Sequence, residues 1–411
     1  MSSNIDYSTY SLEELKQARA TIDEIEHPER AQELEERIVK FELPEASSTE
    51  ASSTIATSPV ATSPVATARV LRKGKVSFHG KASEFFSIWI VNLLLSIVTL
   101  GIYSAWAKVR TNRYFYGNTD IDGHRFSYLA NPLQILKGRI IAVCLFASYF
   151  ILSAVSPIAG AVMVLALMLL TPFMIVLGQR FSMRMTGYRN VRFKFNGGFG
   201  GAFVVFVVLP IVSMFTLYLM LPWALKKIDE YLVDESAFGD SRFTTKLSTG
   251  SYYLASLGAV GIVVAVFIVG ASAMGFGFSS LIETLEDGAP LVMLALIGMY
   301  LIAFAISSSF YTALIRNHIY ENSEIPNVAQ FNSNVGVMPL VWLRTTNVIA
   351  IVLSLGFAIP WAKIRSAHFF ANATEVTVLS GIDSVTSINT GSVGATAEEA
   401  ATLFDVDVAL G

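Results

Sequence analysis

Seven stretches of this chain are too apolar and too free of charge to be ordinary surface or core. They are Phe85–Tyr103, Ile140–Val155, Ala161–Gly178, Gly201–Leu221, Tyr252–Ala273, Pro290–Ile306 and Val337–Ile359. A bilayer core is crossed by about 20 apolar residues in a helix. Lipid offers no partner for an unpaired peptide group, so such runs fold as helices. The fold class predicted is an all-α polytopic membrane protein of about seven transmembrane helices. The Ser156–Gly160 linker is short and uncharged and holds Pro157 and Gly160, which makes the second and third runs a tight hairpin. Composition agrees: 53% of the 411 residues are hydrophobic and 15% charged, against about 25% charged in a soluble domain. That excludes an ordinary soluble enzyme. The net charge of −3 gives no basic excess for nucleic acid. The single Cys144 makes no internal disulfide.

The amino-terminal part differs from everything after it. The first 10 residues are polar and lack the features of a cleavable signal peptide. Residues 11–42 predict a soluble helical hairpin. Ser11 and Glu14 form a capping box, and Leu12, Leu15, Ala18, Ile22 and Ile25 make one apolar face broken near Pro28. This hairpin reads either as a solvated unit or as a docking module for a protein partner. Residues 43–75 form an Ala/Ser/Thr/Pro linker in which ATSPV occurs twice; it buries too little apolar area to order. The membrane domain then covers 76–378, and 379–411 is a polar, flexible tail.

A repeat runs through the membrane domain. Trp106-Ala107-Lys108-Val109-Arg110, Trp223-Ala224-Leu225-Lys226-Lys227 and Trp361-Ala362-Lys363-Ile364-Arg365 each follow an apolar run. At an offset of 117, Phe78, Gly80, Tyr114, Arg125 and Phe126 match Phe195, Gly197, Tyr231, Arg242 and Phe243. At an offset of 255, Asn92, Leu100, Gly101 and Phe115 match Asn347, Leu355, Gly356 and Phe370. The repeated units are 76–192, 193–330 and 331–378. Tryptophan prefers the headgroup level and Lys or Arg one turn on reaches phosphates. Trp106, Lys108, Arg110, Arg113, Trp223, Lys226, Lys227, Trp361, Lys363 and Arg365 are therefore the candidate interfacial or anionic-headgroup residues, with membrane lipids as partners. They read either as anchors or as the lining of a binding surface. Short stretches at Val76–Gly80, His124–Tyr128, Val191–Phe195 and Arg242–Thr245 predict small extramembrane strands.

Phe78-His79-Gly80, Glu84 to Leu93, Leu100 to Arg110 and Tyr114 to Thr119 resemble the YjgN family of bacterial inner-membrane proteins, also called domain of unknown function 898. The likeness runs from about Val76 to about Val378. It departs from the pattern in the third copy, where Ala371 stands in the place of Tyr116 and Asn372 in that of Gly117. The residues Pro28-Glu29-Arg30 resemble the turn of a small helical module found ahead of other bacterial membrane domains. The resemblance implies an inner-membrane location and no particular activity.

No catalytic set is present. His27, His79, His124, His318 and His368 have no metal-ligand spacing, and no P-loop, G-x-S-x-G or H-E-x-x-H occurs. No cofactor or metal is expected. Gly197, Gly198, Gly200 and Gly201 imitate a phosphate loop only superficially, because a membrane run follows. Glu283, Glu286 and Asp287 read as a solvated acidic face. Arg344 is the one charge inside an apolar run; it either snorkels or acts as a buried functional cation, at a cost of roughly 2–3 kcal/mol.

Three spans per 117-residue unit would invert alternate copies, as in many secondary transporters. The basic loops 108–139 and 179–200 would then face the cytoplasm and loop 223–251 the outside. That arrangement puts the amino terminus outside, against the five bases between Arg69 and Lys81. A re-entrant Phe85–Tyr103, bent at Gly101, removes the conflict. Three functions remain: first a non-enzymatic scaffold recruiting a partner through residues 11–42, then a transporter or channel for a small solute, and last an enzyme acting on lipid.

Overall fold

The computed structural model describes residues 70–273 and 290–385. The hairpin at 11–42, the linker up to residue 69, the acidic cluster Glu283, Glu286 and Asp287, and the tail beyond 385 lie outside the described residues. Four helices are long and apolar enough to cross a membrane: α3 (Pro132–Val155), α4 (Pro157–Arg184), α7 (Thr249–Ala273) and, within α8 (Pro290–Glu321), Met293–Glu321. Helix α3 starts with a capping box: Asn131 Oδ1 accepts from Leu133 N–H at 3.1 Å, and Gln134 Oε1 accepts from Asn131 N–H at 3.2 Å. Ser156, in extended conformation, and Pro157 at the next first turn set the tight reversal between α3 and α4.

The other three runs are shorter helices: α1 (Ala82–Val98), α5 (Phe199–Phe215) and α9 (Val337–Leu353). Each has 17 residues, roughly 25 Å at 1.5 Å per residue. The expected seven spans thus become four of spanning length among the described residues. Helix α5 carries a π turn at Val204–Val208 just ahead of Pro210, whose ring would otherwise meet the carbonyl four residues back. Each short helix ends in one reversal. Leu100 and Gly101, Leu217 and Tyr218, and Leu355 and Gly356 all have positive φ. The second residue of each pair donates to a carbonyl five residues back: Gly101 to Ser96 at 2.7 Å, Tyr218 to Ser213 and Gly356 to Ile351 at 2.8 Å. This is a Schellman closure. The chain then returns as α2 (Ser104–Gly117), α6 (Leu221–Asp234) and α10 (Ile359–Asn372). The limbs are antiparallel: Tyr114 Oη accepts from Lys81 N–H at 2.8 Å, and Asn347 Nδ2 donates to Ala362 O at 3.4 Å.

The strands are more than appendages. They form a five-stranded sheet, β1 (Val70–Lys75), β12 (Thr374–Leu379), β11 (Ala329–Ser333), β10 (Ser323–Ile325) and β9 (Thr244–Thr245). They also form a seven-stranded sheet, β2 (Ser77–Phe78), β3 (Thr119–Ile121), β4 (His124–Tyr128), β5 (Thr186–Tyr188), β6 (Val191–Phe195), β7 (Ser236–Phe238) and β8 (Ser241–Arg242). Only Val76 separates β1 from β2, and only Phe243 separates β8 from β9. Both residues keep ladder bonds, Val76 N–H to Thr374 O at 3.1 Å and Phe243 N–H to Ser236 O at 3.0 Å. The two sheets are therefore continuous through these strands at both ends and close into one ring. Tyr188, Phe238, Ile325, Val376 and Val378 fill its core, with Phe126, Phe193 and Phe331 against them.

The ring corrects the inverted topology. The strands before and after every helical hairpin are hydrogen-bonded neighbours: β2 with β3, β4 with β5, β6 with β7, β9 with β10, and β11 with β12. Each excursion begins and ends at the same place, so successive units leave the ring on the same side. An apolar run that reverses is not a crossing: the bend expected at Gly101 of Phe85–Tyr103 is the reversal at Leu100–Gly101, and Gly201–Leu221 and Val337–Ile359 reverse in the same way. Two boundaries shift as well. Val70–Lys75, assigned to the linker, is strand β1, held by β12. The assigned tail begins inside β12, and Ile382 of the 3₁₀ turn Ser380–Ser384 is buried in the ring core.

Candidate functional site

The return helices carry the Trp–basic motifs, and helical geometry divides each motif between two faces. At about 100° per residue, Lys108 lies almost opposite Trp106 and Arg110. Ala105 and Val109 are fully buried against Ile135 and Phe181 of the long helices. This turns the face bearing Lys108, Thr111, Asn112 and Phe115 inward. Helix α10 repeats the arrangement with Lys363, Ser366, Ala367 and Phe370. These faces, with α6, α4, the end of α8 and strand residues such as Ile121 and Val376, line a half-open chamber of about 1070 Å³ against the ring.

The chamber wall is apolar with a few placed polar groups, the composition expected of a small-molecule site. It carries three cationic side chains, Lys108, Lys363 and Arg316, and one carboxylate, Asp229. Asp229 Oδ2 accepts from Tyr252 Oη at 2.6 Å. Arg316 is 8% exposed; it donates to Thr374 Oγ1 at 3.1 Å and lies over the rings of Tyr320 and Phe370 at 4.4 and 4.9 Å. It ties α8 to the ring and presents its guanidinium to the chamber. Asn347 is also on the wall; its Nδ2 reaches Ser366 Oγ at 3.1 Å. Sequence reading missed Arg316, Asp229 and Asn347 as site residues. Arg316 falls after the apolar run of its helix, where a cation is commonplace. Asp229 stands where the other copies have Asn112 and Ala367.

The remaining expected site residues are dispersed. Trp106 stacks on Tyr103 at 6.2 Å beside the first reversal, while Arg110 is exposed. Arg113 donates to Ala130 O at 3.2 Å, pinning the segment after β4. In the second copy Lys226 and Lys227 pair with Glu230 at 3.2 and 2.8 Å, and Trp223 packs near Val205 and Leu209. Glu230 occupies the position of Arg113, so that copy neutralises its own cations. In the third copy the Arg365 guanidinium lies 5.2 Å from the Trp361 ring centre and binds Asn347 Oδ1 at 3.1 Å and Thr346. Arg344 reaches two hydroxyls of α8, Ser308 at 3.3 Å and Thr312 at 3.1 Å. These are partners that a search for an acidic counter-ion overlooks. Arg344 is not on the chamber wall; Asn347 and Ile351, on the following turns of α9, are.

A family described as "Bacterial protein of unknown function (DUF898)" matches residues 73–403. The chain is 28% identical over 366 residues to "Inner membrane protein YjgN" of Escherichia coli strain K12, covering 76% of this chain and 90% of that protein. Its counterpart in Escherichia coli O157:H7 is 27% identical over 365 residues with the same coverage. The protein of that name from Salmonella typhimurium is 23% identical over 350 residues, covering 73% of this chain and 87% of its own length. No solved structure matches the chain.

Proposed function

The chain belongs to the DUF898 family of bacterial proteins, and from that premise we propose that it is a non-enzymatic carrier, moving a small polar or amphipathic solute through the chamber beneath its ring. It is a multi-pass protein of the inner membrane, as its relatives and its four long apolar helices agree. The observation that carries the functional reading is the chamber itself: about 1070 Å³, walled by return helices, with Lys108, Lys363, Arg316 and Asp229 on its surface. A scaffold needs no such space.

The three short hairpins dip into the bilayer from the ring side and form repeated units with the long hairpins. Two features support this. Their tips expose apolar residues, Leu100 at 94%, Leu217 at 84% and Leu355 at 89%, which suits hydrocarbon and not water. The tip backbone donors are hydrogen-bonded within the turn, which lipid demands. Helices α1, α5 and α9 begin at Ala82, Phe199 and Val337, the same offsets of 117 and 255 that relate the Trp motifs. Interrupted helices lining an internal cavity are the usual architecture of carriers.

The test is solute flux into vesicles reconstituted with the full chain, screened over small anions and zwitterions. A substrate is expected, and Lys108→Gln with Lys363→Gln should lower its flux at least tenfold while the protein still inserts. Absence of flux for every solute, with full function in cells retained only when residues 1–68 are present, would favour the scaffold instead.

A further inference from the structure

Helix α6 holds two neighbouring acids and two neighbouring bases, and both bases go to the same acid. Lys226 reaches Glu230 Oε1 at 3.2 Å and Lys227 reaches Glu230 Oε2 at 2.8 Å. Lys226 also donates to Thr249 Oγ1 of α7 at 3.1 Å. Asp229 is left to a neutral donor, the Tyr252 hydroxyl at 2.6 Å. No cation among the described residues forms an ion pair with Asp229. Its second oxygen, Oδ1, makes no hydrogen bond among them and keeps accessible surface. The residue is half-buried on the chamber wall. The other copies put Asn112 and Ala367 at this place, and both are on the wall as well. One of three equivalent wall positions therefore carries a carboxylate.

A carboxylate drawn out of water without a counter-charge takes up a proton more readily than one in solution. Carboxylates of this kind mark proton pathways in membrane carriers. Asp229 lies outside the four spanning helices, five residues before the end of α6, roughly 8 Å along its axis. Its backing tolerates both charge states. Tyr252 is fully buried, so its hydroxyl must keep a partner. An ionised Asp229 accepts from it, and a protonated one still accepts through its carbonyl oxygen or donates to the phenol. Behind Tyr252 stand Tyr311 and His318 of α8. His318 accepts from Ser248 N–H at 2.8 Å through Nε2. Helix α5 and strands β7 and β9, also packed on α6, hold no ionisable side chain, and α4 brings Gln179 and Ser182 to the wall. The other charges of the chamber are Lys108, Lys363 and Arg316, the last held by Thr374. We propose that Asp229 is the proton site of the carrier. It takes a proton on Oδ1 from chamber water, is neutral for one half of the transport cycle, and returns the proton to water in the other. One O–H bond forms and the same bond breaks, so the step consumes nothing beyond the proton gradient. The proposal rests on the carrier reading and deepens it by naming the proton as the coupling ion.

Infrared titration of the purified full chain in lipid, with no solute added, reads this group directly. A protonated-carboxyl band should fade with a midpoint between about pH 6 and 8, and Asp229→Asn should remove that component. Asparagine keeps an acceptor for Tyr252, and unchanged elution and melting show that the fold persists. Tyr252→Phe removes the donor that favours the ionised form, so it should move the midpoint up by about one unit. A merely structural Asp229 would show neither change. A titration that Asp229→Asn leaves in place, or a carboxyl ionised throughout this range, overturns the proposal. Coupling is read in vesicles reconstituted with the full chain, with the membrane potential clamped. The probes are the small anions and zwitterions of the flux screen, glycine, succinate and inorganic phosphate among them. A gradient of one pH unit, in one direction or the other, should concentrate a transported probe about tenfold at one proton per solute. Asp229→Asn should let that probe only equilibrate. Uptake that ignores the gradient, or accumulation that persists in Asp229→Asn, overturns the coupling. The carrier reading fails separately, if the carboxyl titrates as expected and no solute of the screen is taken up; the proton site then stands without it.

Discussion

Tyr188 stands at the centre of the ring, 7% exposed, with its hydroxyl donating to Ile121 O at 2.8 Å across the sheet. Burial pushes its phenol up to about 12, against the pull of Arg189. A folded-state value above the ordinary one of about 10 means that its stabilising contribution is complete below pH 10 and is lost as the pH rises through 12. Tyr188→Phe should cost about 1 kcal/mol at neutral pH through the lost hydrogen bond. It should also flatten the decline in stability between pH 10 and 12, measured by chemical unfolding in detergent. At this scale the sequence displayed residue types without their direction. Lys108 and Arg110 look equivalent in Trp-Ala-Lys-Val-Arg, yet two steps along a helix send one to the chamber and the other outward. Arg344 looked stranded because its partners are hydroxyls on another helix.

The helical hairpin is the recurring element, and one hydroxyl position supports each reversal. Thr99, Thr216 and Ser354 accept from the backbone N–H four residues on, at Tyr103, Met220 and Ala358, at 2.9, 3.2 and 2.8 Å. Each holds the N–H of the residue just ahead of the first turn of the return helix. Thr216→Val should cost about 1 kcal/mol, and more than the same change on an exposed helix end in water, because lipid supplies no substitute partner. Melting of the purified variant checks this. The hairpins also set tryptophan depth. Trp106, Trp223 and Trp361 all lie one turn past their reversals, so they share one depth, roughly 15 Å along the helix from the ring. Quenching by brominated lipids should place all three equally deep; a Trp223 set in the opposite leaflet would contradict the common base. The long hairpins were legible because length and apolarity suffice to define them. The reversals were not, since Leu-Gly ends two of the runs while Leu217-Tyr218 ends the other, and an apolar tail beyond the turn extends the apparent span. Four of the strands were visible as aromatic or β-branched clusters, but the ring was hidden. Several strands have two or three residues, and β1 meets a partner about 300 positions away.

Across the whole molecule the sidedness of charge follows from the ring. Among the described residues the segments farthest from it, 94–103, 145–165, 212–222, 265–273, 290–300 and 350–359, contain no Lys or Arg. All basic residues of the membrane domain lie toward the ring, which the positive-inside rule puts in the cytoplasm. In a Cys144→Ser background, single cysteines at Gly123 and Ser156 should label from opposite sides, Gly123 only after the cytoplasmic face is opened. Labelling of Gly123 in intact spheroplasts would reverse the orientation. The same ring gives the chain a cyclic order rather than a first and last element. Val70 is registered against Leu379, so the beginning of β1 and the end of β12 are adjacent. Because every helical excursion returns to where it left, no hairpin depends on being synthesised before another to acquire its sidedness. Joining Val385 to Val70 through a short glycine linker and opening the chain after Gly123, the exposed residue of the β3–β4 turn, should yield a circular permutant that inserts, elutes as the parent does and melts within a few degrees of it. A membrane protein whose units each cross an odd number of times would change the sidedness of every later unit with its starting point; here each unit returns to the strand beside the one it left, so the ring itself asks for no particular starting point.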